Sequence, residues 1–253
     1  MNESNLTKNS FGTTKAVLEL VATIATIVLA VVVGWTLLQR PVGPPIPAAA
    51  AGRPAARPSA APLPTQPDSM DGAVTRGSKQ AQLAVIEYSE FKCPYCGAFA
   101  RDTWPSLKTK YVDSGKVLVA FRHFPLDSLH PFARPAAQAA ECVGRQGKFW
   151  EFHDLLFRDQ KGLDATMVDS YVAATGVDRK GYEACLKTAA AKVQADVVSG
   201  ESLGVTGTPT FFIGLVEPDG RVLLKERMTG AQRLAQFEGT LDRLLANTTR
   251  TSR

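Results

Sequence analysis

The chain has 253 residues, of which 45% are hydrophobic, and a formal net charge of +5 from 29 basic and 24 acidic residues. This length is sufficient for one large domain with additional segments or for two small domains. The basic excess is small and no run of Lys or Arg occurs, which argues against a nucleic-acid-binding surface. The composition therefore favours a globular domain with a surface of mixed charge.

The N-terminal region contains an uncharged apolar run, LVATIATIVLAVVVGWTLL, at residues 20–38. As a helix it would be about 28 Å long, close to the ~30 Å hydrocarbon thickness of a bilayer. We therefore predict a transmembrane anchor over residues 16–39, after a short tail at residues 1–15. A long signal sequence is the alternative, although the apolar core of such sequences is normally about 7–15 residues long.

Proline and alanine dominate the next segment, residues 40–70, which holds nine of the 16 prolines of the chain. Such a composition favours extended polyproline conformations with a rise of about 3.1 Å per residue. We predict a linker that separates a folded domain from the membrane. A docking site for proline-recognising domains is the alternative.

The remaining sequence predicts one α/β domain over residues 71–246, followed by a short tail at residues 247–253. Strand-like patterns alternate with a helical pattern in the first half, and two more strand-like runs precede an amphipathic C-terminal helix. Between the two halves, residues 130–204 carry only helical patterns. The order predicts an α/β fold with an all-helical insertion.

The stretch FKCPYCG contains two cysteines, Cys93 and Cys96, at the point where a predicted strand gives way to a helix. Pro94 suits the first position of that helix, which places Cys93 beside its unpaired backbone N–H groups. Both the helix terminus and the neighbouring Lys92 favour a thiolate, and in such pairs the first pKa falls to roughly 3.5–7.5. Cys96, one turn later, can close a disulfide or resolve a mixed disulfide. The pattern indicates a redox pair.

A structural zinc site and an inert disulfide are the alternatives for this pair. Zinc normally needs four ligands in two close pairs. The other two cysteines, Cys142 and Cys185, are single and distant from each other in sequence, and the three histidines have no ligand spacing. A two-residue disulfide loop would constrain the unfolded chain very little. We predict no metal site and no cofactor.

The strand before Cys93, the C-P-Y-C sequence and the later Gly-x-Pro-x-aromatic sequence at residues 207–211 together resemble the thioredoxin superfamily. The helical segment AAECVGRQGKFWEFHDLLF and the segment GVTGTPTFFIG are similar to the DsbA-like branch of thiol:disulfide oxidoreductases. The resemblance covers about residues 71–246. It implies a thioredoxin-like fold with an all-helical insertion at about residues 130–204.

This resemblance also implies roles for individual residues. Cys93 matches the solvent-exposed nucleophile, Cys96 the buried resolving thiol, and Pro209 a cis-proline whose loop packs against the disulfide. In that family the residue at Tyr95 tunes the redox potential. The substrate-binding surface is expected to include four residues, namely Pro94, Tyr95, Thr208 and Pro209.

Two further expectations leave alternatives open. Glu87 lies six residues before Cys93, where the superfamily often has a buried acid that relays the proton of the resolving cysteine, here Cys96. A carboxylate in solvent at the sheet edge is an equal alternative. Related proteins sometimes have a second disulfide in the helical insertion, where Cys142 and Cys185 lie, but two free thiols are also compatible with the sequence.

The sequence therefore predicts a thiol:disulfide oxidoreductase that forms disulfides in envelope or secreted proteins. Its expected partners are cysteine-containing protein substrates and a membrane redox partner that reoxidises or reduces the pair. We predict a single-pass protein of the inner (cytoplasmic) membrane, with the catalytic domain on the periplasmic or extracytoplasmic side. The alternatives are a reductase or isomerase that uses the same site, and a tethered binding or chaperone module without redox turnover.

Overall fold

The structure is a computed structural model that describes residues 28, 30–35 and 62–251. The chain divides into two compact units, Met1–Ser59 and Ala60–Arg253. In the first unit, Val28 and residues 30–35 are helical. Most of the predicted anchor, the tail before it and most of the predicted linker lie outside the described residues. Among the residues that the structure describes, no helix is long and apolar enough to cross a membrane.

The second unit alternates strands and helices in the predicted α/β order. In chain order its elements are β1 (Val74–Arg76), β2 (Leu83–Ser89), α1 (Pro94–Ala98), β3 (Val117–His123), α2 (Ala133–Gly144), α3 (Phe149–Arg158), α4 (Ala165–Ala174), α5 (Arg179–Ser202), β4 (Thr210–Val216), β5 (Val222–Thr229) and α6 (Leu234–Thr251).

Helix α1 does not stop at Ala98 but continues with altered pitch to Val112. Two π-helical turns, Phe99–Thr103 and Lys108–Val112, flank the short α-helical segment Trp104–Leu107. Pro105 lies in this short segment and lacks the N–H that an α-helical bond would need. The irregular pitch therefore coincides with this proline.

The five strands form one sheet in the order β1-β3-β2-β4-β5. Strands β2 and β3 are parallel and are joined by α1, whereas the other three pairs are antiparallel. All seven residues of central strand β2 are buried. Because β2 ends at Ser89, just before the cysteines, this central strand fixes the position of the redox sequence.

Two apolar clusters cover the two faces of the sheet. On one face, side chains of β2 such as Leu83 and Val85 contact α1 and α6. On the other face, Ile86 and Tyr88 pack with residues from the C-terminal part of α5 and the loop after it. This alternation within β2 places Glu87 and Ser89 on the same side as α1.

The predicted helical insertion corresponds to α2–α5, which pack together next to the redox sequence. A disulfide joins Cys142 of α2 to Cys185 of α5, with Cα atoms 5.5 Å apart. Of the two possibilities left open by the sequence, the structure has the bridged form. Phe91, Cys93 and Cys96 belong to the apolar cluster of this helical region, so the insertion forms one wall of the redox site.

Several contacts precede residue 71, where the sequence predicts the start of the domain. The backbone groups of Asp68 and Val222 exchange two hydrogen bonds of 2.8 Å. The Arg122 guanidinium donates to the carbonyl oxygens of Ser69 (2.8 Å) and Asp71 (3.2 Å). The end of the predicted linker is therefore bound to the domain, because its backbone pairs with a sheet edge and a buried arginine.

Candidate active site

Cys93 and Cys96 lie at the start of α1, and both carry free thiols. Cys93 is the N-cap residue with an extended backbone, and Pro94 is the first helical residue. The sequence resemblance implied an exposed nucleophile, but Cys93 is only 3% exposed and Cys96 is fully buried. Cys93 is covered because its Sγ atom faces the Thr208 carbonyl oxygen at 3.3 Å. The exposed surface beside it is formed instead by Pro94 and Tyr95.

The two thiols differ strongly in acidity. The pKa of Cys93 is lowered to about 5, chiefly by a hydrogen bond from the Cys96 thiol, which outweighs the opposing effect of burial. The Thr208 side chain and the backbone N–H groups of Cys96 and Tyr95 lower it further. Burial raises the pKa of Cys96 well above its ordinary value, and its interactions with Cys93 raise it more. At neutral pH the pair therefore holds one thiolate, on Cys93, and one thiol, on Cys96.

The loop before β4 packs against this thiolate. The Thr208–Pro209 peptide bond is cis. Thr208 is 8% exposed, and its hydroxyl has no well-aligned hydrogen-bond partner within the described part of the chain. This hydroxyl is near enough to Cys93 to lower its pKa. The structure thus brings together Cys93, Cys96, Thr208 and Pro209, the four residues at the centre of the predicted site.

Glu87 is buried, not exposed at the sheet edge, with 3% of its surface accessible. Burial raises its pKa to about 8, and the hydroxyl of Ser89 lowers it in part. The same hydroxyl lowers the pKa of Cys96. The Ser89 hydroxyl is therefore near both the carboxyl group and the buried thiol, although it makes no well-aligned hydrogen bond to either within the described residues. Because Glu87 titrates close to neutral pH, it has the acidity that a proton relay to Cys96 requires.

A second buried acid, Glu90, was not singled out from the sequence. It is completely buried, accepts a hydrogen bond of 2.6 Å from the backbone N–H of Lys92, and contacts Nδ1 of His130 through its side chain. Burial raises the pKa of Glu90, and the charge of Cys93 raises it further. Nothing in the local sequence pattern marks this contact, because Glu90 and His130 are 40 residues apart.

Gln160, in the short 3-10 turn after α3, anchors the redox loop to the helical insertion. Its amide donates to the carbonyl oxygens of Phe91 (2.8 Å) and Cys93 (2.9 Å). A Cβ atom on Gly97 would lie 1.8 Å from the Gln160 Oε1 atom, so glycine is needed for this contact. Lys92 donates to the carbonyl oxygens of Gln160 and Leu163, both at 3.2 Å. Its ammonium is thus directed to this turn, and not to the thiolate as the sequence suggested.

Metal ligation was the alternative chemistry for the cysteines. No group of three or more His, Cys, Asp or Glu side chains suited to a metal occurs within the described residues. The cysteine pair adjoins a serine, a threonine and backbone groups instead. The arrangement can perform thiol–disulfide exchange because it combines an acidic thiolate, a neighbouring thiol and a loop beside both.

The chain was compared with known proteins by sequence and by structure, and both comparisons point to one family. Residues 69–241 match the family described as thioredoxin. Among solved structures, the chain is similar to alpha-DsbA1 of Wolbachia pipientis, with a TM-score of 0.64, 25% identity, and coverage of 74% of this chain and 97% of that one. BdbD of Bacillus subtilis, in its oxidised form, has the same fold, with a TM-score of 0.61 and 21% identity over 72% of this chain and 97% of that chain.

Among curated proteins, the chain is 37% identical over 140 residues to the Na(+)/H(+) antiporter NhaA 3 of Salinispora tropica. The match covers 54% of this chain and 21% of the antiporter, so the chain spans about a fifth of the length of that relative. The thioredoxin match covers more than half of the chain, and the solved structures place its fold with DsbA proteins. The chain belongs to the thioredoxin family, in the DsbA-like branch of thiol:disulfide oxidoreductases.

Proposed function

We propose that this protein forms disulfide bonds in extracytoplasmic proteins by exchange with a Cys93–Cys96 disulfide. The observation that carries the proposal is the asymmetry of the pair. Cys93 has a pKa of about 5 beside Thr208, whereas Cys96 is buried and has a strongly raised pKa. One sulfur is suited to leave as a thiolate and the other to hold a proton.

In the proposed cycle, a substrate thiolate attacks the Sγ atom of Cys93. The Cys93–Cys96 bond breaks, and Cys96 leaves as a thiolate. This thiolate then takes up a proton, which reaches it by way of Glu87 and Ser89. A second thiol of the same substrate then attacks the substrate sulfur of the mixed disulfide. The substrate disulfide forms, and Cys93 leaves as a thiolate. Two electrons pass from the substrate to the enzyme, which ends as a dithiol and requires reoxidation by a membrane partner.

The acidity of Cys93 supports oxidation as the net direction. A thiol with a pKa of about 5 stabilises the reduced enzyme at pH 7 by about 3 kcal/mol relative to an ordinary thiol. For a two-electron couple this corresponds to a reduction potential higher by about 60 mV. A higher potential makes the enzyme disulfide a better oxidant of substrate thiols. Reduction or isomerisation through the same atoms is the alternative if the partner supplies electrons.

The location is part of the same proposal. A bridge between Cys142 and Cys185 persists in an oxidising compartment. The uncharged run at residues 20–38 suits a single-pass anchor in the cytoplasmic membrane, and the Pro- and Ala-rich segment after it suits a linker to the folded domain. Cysteine-containing proteins of the envelope are then the substrates. Pro94 and Tyr95 are at the exposed surface that they contact, and the buried Thr208–Pro209 loop packs against Cys93.

The test is the redox equilibrium of the full chain with glutathione, together with turnover on a reduced protein substrate. We expect the Cys93–Cys96 couple to be oxidising relative to glutathione, and oxidised enzyme to introduce disulfides into a reduced protein. A couple more reducing than glutathione, with rapid reduction of substrate disulfides, would favour the reductase. The chaperone would be favoured if the parent showed no exchange and if it bound unfolded protein as strongly as a variant with both cysteines replaced by alanine.

A further inference from the structure

A cleft of about 710 Å³ opens directly beside the redox sequence. Lys92 and Pro94, the two neighbours of Cys93 in the chain, form one wall. The turn after α3 also lines the cleft, and Gln160 in this turn donates to the Cys93 carbonyl oxygen at 2.9 Å. Anything held in this cleft therefore lies close to the nucleophile.

The lining of the cleft is strongly basic. It contains four Lys or Arg side chains and one acidic side chain, Asp159, besides His130, which is already paired with Glu90. The acidic group is itself occupied, because Asp159 accepts from Arg158 (3.1 Å) and from the Tyr171 hydroxyl (2.5 Å). The net formal charge of the lining is thus +3, from four cations and one anion.

Three of the four cations have no carboxylate partner among the described residues. Lys92 donates only to carbonyl oxygens. Arg101 makes two long contacts, to the Phe157 carbonyl oxygen at 3.4 Å and the Gln160 side-chain oxygen at 3.5 Å. Lys161 is exposed at the rim. By contrast, Arg134, Arg145 and Arg243 each form an ion pair within the domain.

Unpaired cations that line a concave surface attract anions more strongly than cations on a convex surface, because the protein walls concentrate the field. We propose that the cleft beside Cys93 binds carboxylate groups that a thiol or disulfide substrate carries close to its reacting sulfur. The substrate class is thus acidic: a polypeptide with Asp or Glu next to its cysteine, or a small anionic thiol such as glutathione. The inference rests on the proposed exchange at Cys93 and specifies which substrates react fastest.

The experiment measures the rate at which the oxidised full chain is reduced by matched thiols. Three peptides of equal length contain one cysteine flanked by Glu, Gln or Lys, and glutathione is the fourth thiol. Flanking charges also change the intrinsic reactivity of each thiol. The rate of each thiol with the enzyme is therefore divided by the rate of the same thiol with bis(2-hydroxyethyl) disulfide at the same pH. We expect the Glu peptide to react about tenfold faster than the Lys peptide after this correction, and the ratio to fall as salt is added.

The variants test whether the cleft is the origin of the preference. Arg101→Gln combined with Lys161→Gln is expected to reduce the tenfold preference to about twofold. The matched control is Lys180→Gln combined with Lys187→Gln, which removes the same charge from exposed positions on α5 and is expected to keep the preference. If the double cleft variant folds poorly, Lys161→Glu alone is used. It lowers the formal charge of the lining by the same two units and is likewise expected to reduce the preference to about twofold.

Each outcome separates the cleft from the exchange reaction. If the Glu peptide reacts faster than the Gln peptide but glutathione does not, the cleft binds polypeptides. If only glutathione reacts faster than the Gln peptide, the cleft binds small thiols. Equal corrected rates for all thiols, or equal loss of preference in the cleft and control variants, would overturn the inference while leaving the exchange activity intact. Failure of the neutral Gln peptide to reduce the enzyme at all would instead contradict the proposed function.

Discussion

The carbonyl oxygen of Thr208 lies 3.3 Å from the Sγ atom of Cys93, although the two residues are 115 positions apart. The same threonine presents its buried hydroxyl near the sulfur and lowers the pKa of Cys93. One residue therefore offers an acceptor to the thiol and a donor to the thiolate. It is thus placed to influence both protonation states of the nucleophile.

Replacing Thr208 with Val should raise the pKa of Cys93, because the valine cannot donate a hydrogen bond to the thiolate. A hydrogen bond to a charged group contributes about 1.5–3 kcal/mol, which corresponds to about one to two pKa units. The pH dependence of the iodoacetamide alkylation rate of the reduced protein measures this shift. Thr208→Ser keeps the hydroxyl and should stay near the parent value, so an equal shift in both variants would rule out the hydroxyl as the cause.

Glu87 should make the stability of the protein depend on pH. Its pKa is raised by burial from 4.5 to about 8 in the folded protein, so the folded state holds a proton that the unfolded chain releases. The contribution of this group to stability therefore falls as the pH rises from 4.5 to about 8. Glu87→Gln cannot ionise and should be more stable than the parent at pH 7 by up to about 3 kcal/mol.

Urea denaturation of the oxidised protein at pH 5 and pH 8 measures this effect. The difference between Glu87→Gln and the parent should be small at pH 5 and large at pH 8. Glu201→Gln, a change at an exposed position of α5, should show no such difference. An identical pH response of the parent and Glu87→Gln would show that the carboxyl group is ionised in the folded protein.

Gly97 and Gln160 should behave as one unit. In Gly97→Ala the new Cβ atom would displace the Gln160 side chain, which then loses its hydrogen bonds to the carbonyl oxygens of Phe91 and Cys93. Gly97→Ala and Gln160→Ala should each lower the free energy of unfolding by about 1–3 kcal/mol, and the double variant should lose no more than either single one. If the losses of the two single variants added up in the double variant, the two residues would not act through this contact. Gly239→Ala on α6, where nothing lies within 4 Å of the added atom, is the control.

The disulfide between Cys142 and Cys185 should stabilise the domain without taking part in exchange. It closes a loop between residues 43 positions apart, for which the chain-entropy estimate is about 4 kcal/mol. Replacing both cysteines with Ala should lower the free energy of unfolding by about that amount, measured in denaturant. The rate of exchange at Cys93 should remain unchanged, so a parallel loss of exchange would show that this bridge belongs to the redox site.

Local patterns in the sequence predicted the strand–helix junction, because alternating apolar residues, Pro94 and the two cysteines all lie within one short stretch. The resemblance implied burial of Glu87 only as one of two alternatives, since the residues that cover it come from other elements. Contacts across the fold were not predictable: the pairing of Glu90 with His130 and the anchoring by Gln160 depend on how the helical insertion packs. The covering of Cys93 by the Thr208 loop has the same origin, and it explains why the thiol is less exposed than the resemblance implied.

Mixed-disulfide trapping tests the central claim most directly, because it shows which sulfur bonds to the substrate. The Cys96→Ser and Cys93→Ser variants are each activated as a mixed disulfide with a small thiol and incubated with a reduced protein substrate that carries a single cysteine, so that no second substrate thiol can release it. The products are analysed by non-reducing electrophoresis and mass spectrometry. We predict that Cys96→Ser accumulates substrate on Cys93, because the resolving thiol is missing, and that Cys93→Ser accumulates none. Trapping on Cys96 in the Cys93→Ser variant, with none in Cys96→Ser, would contradict the account.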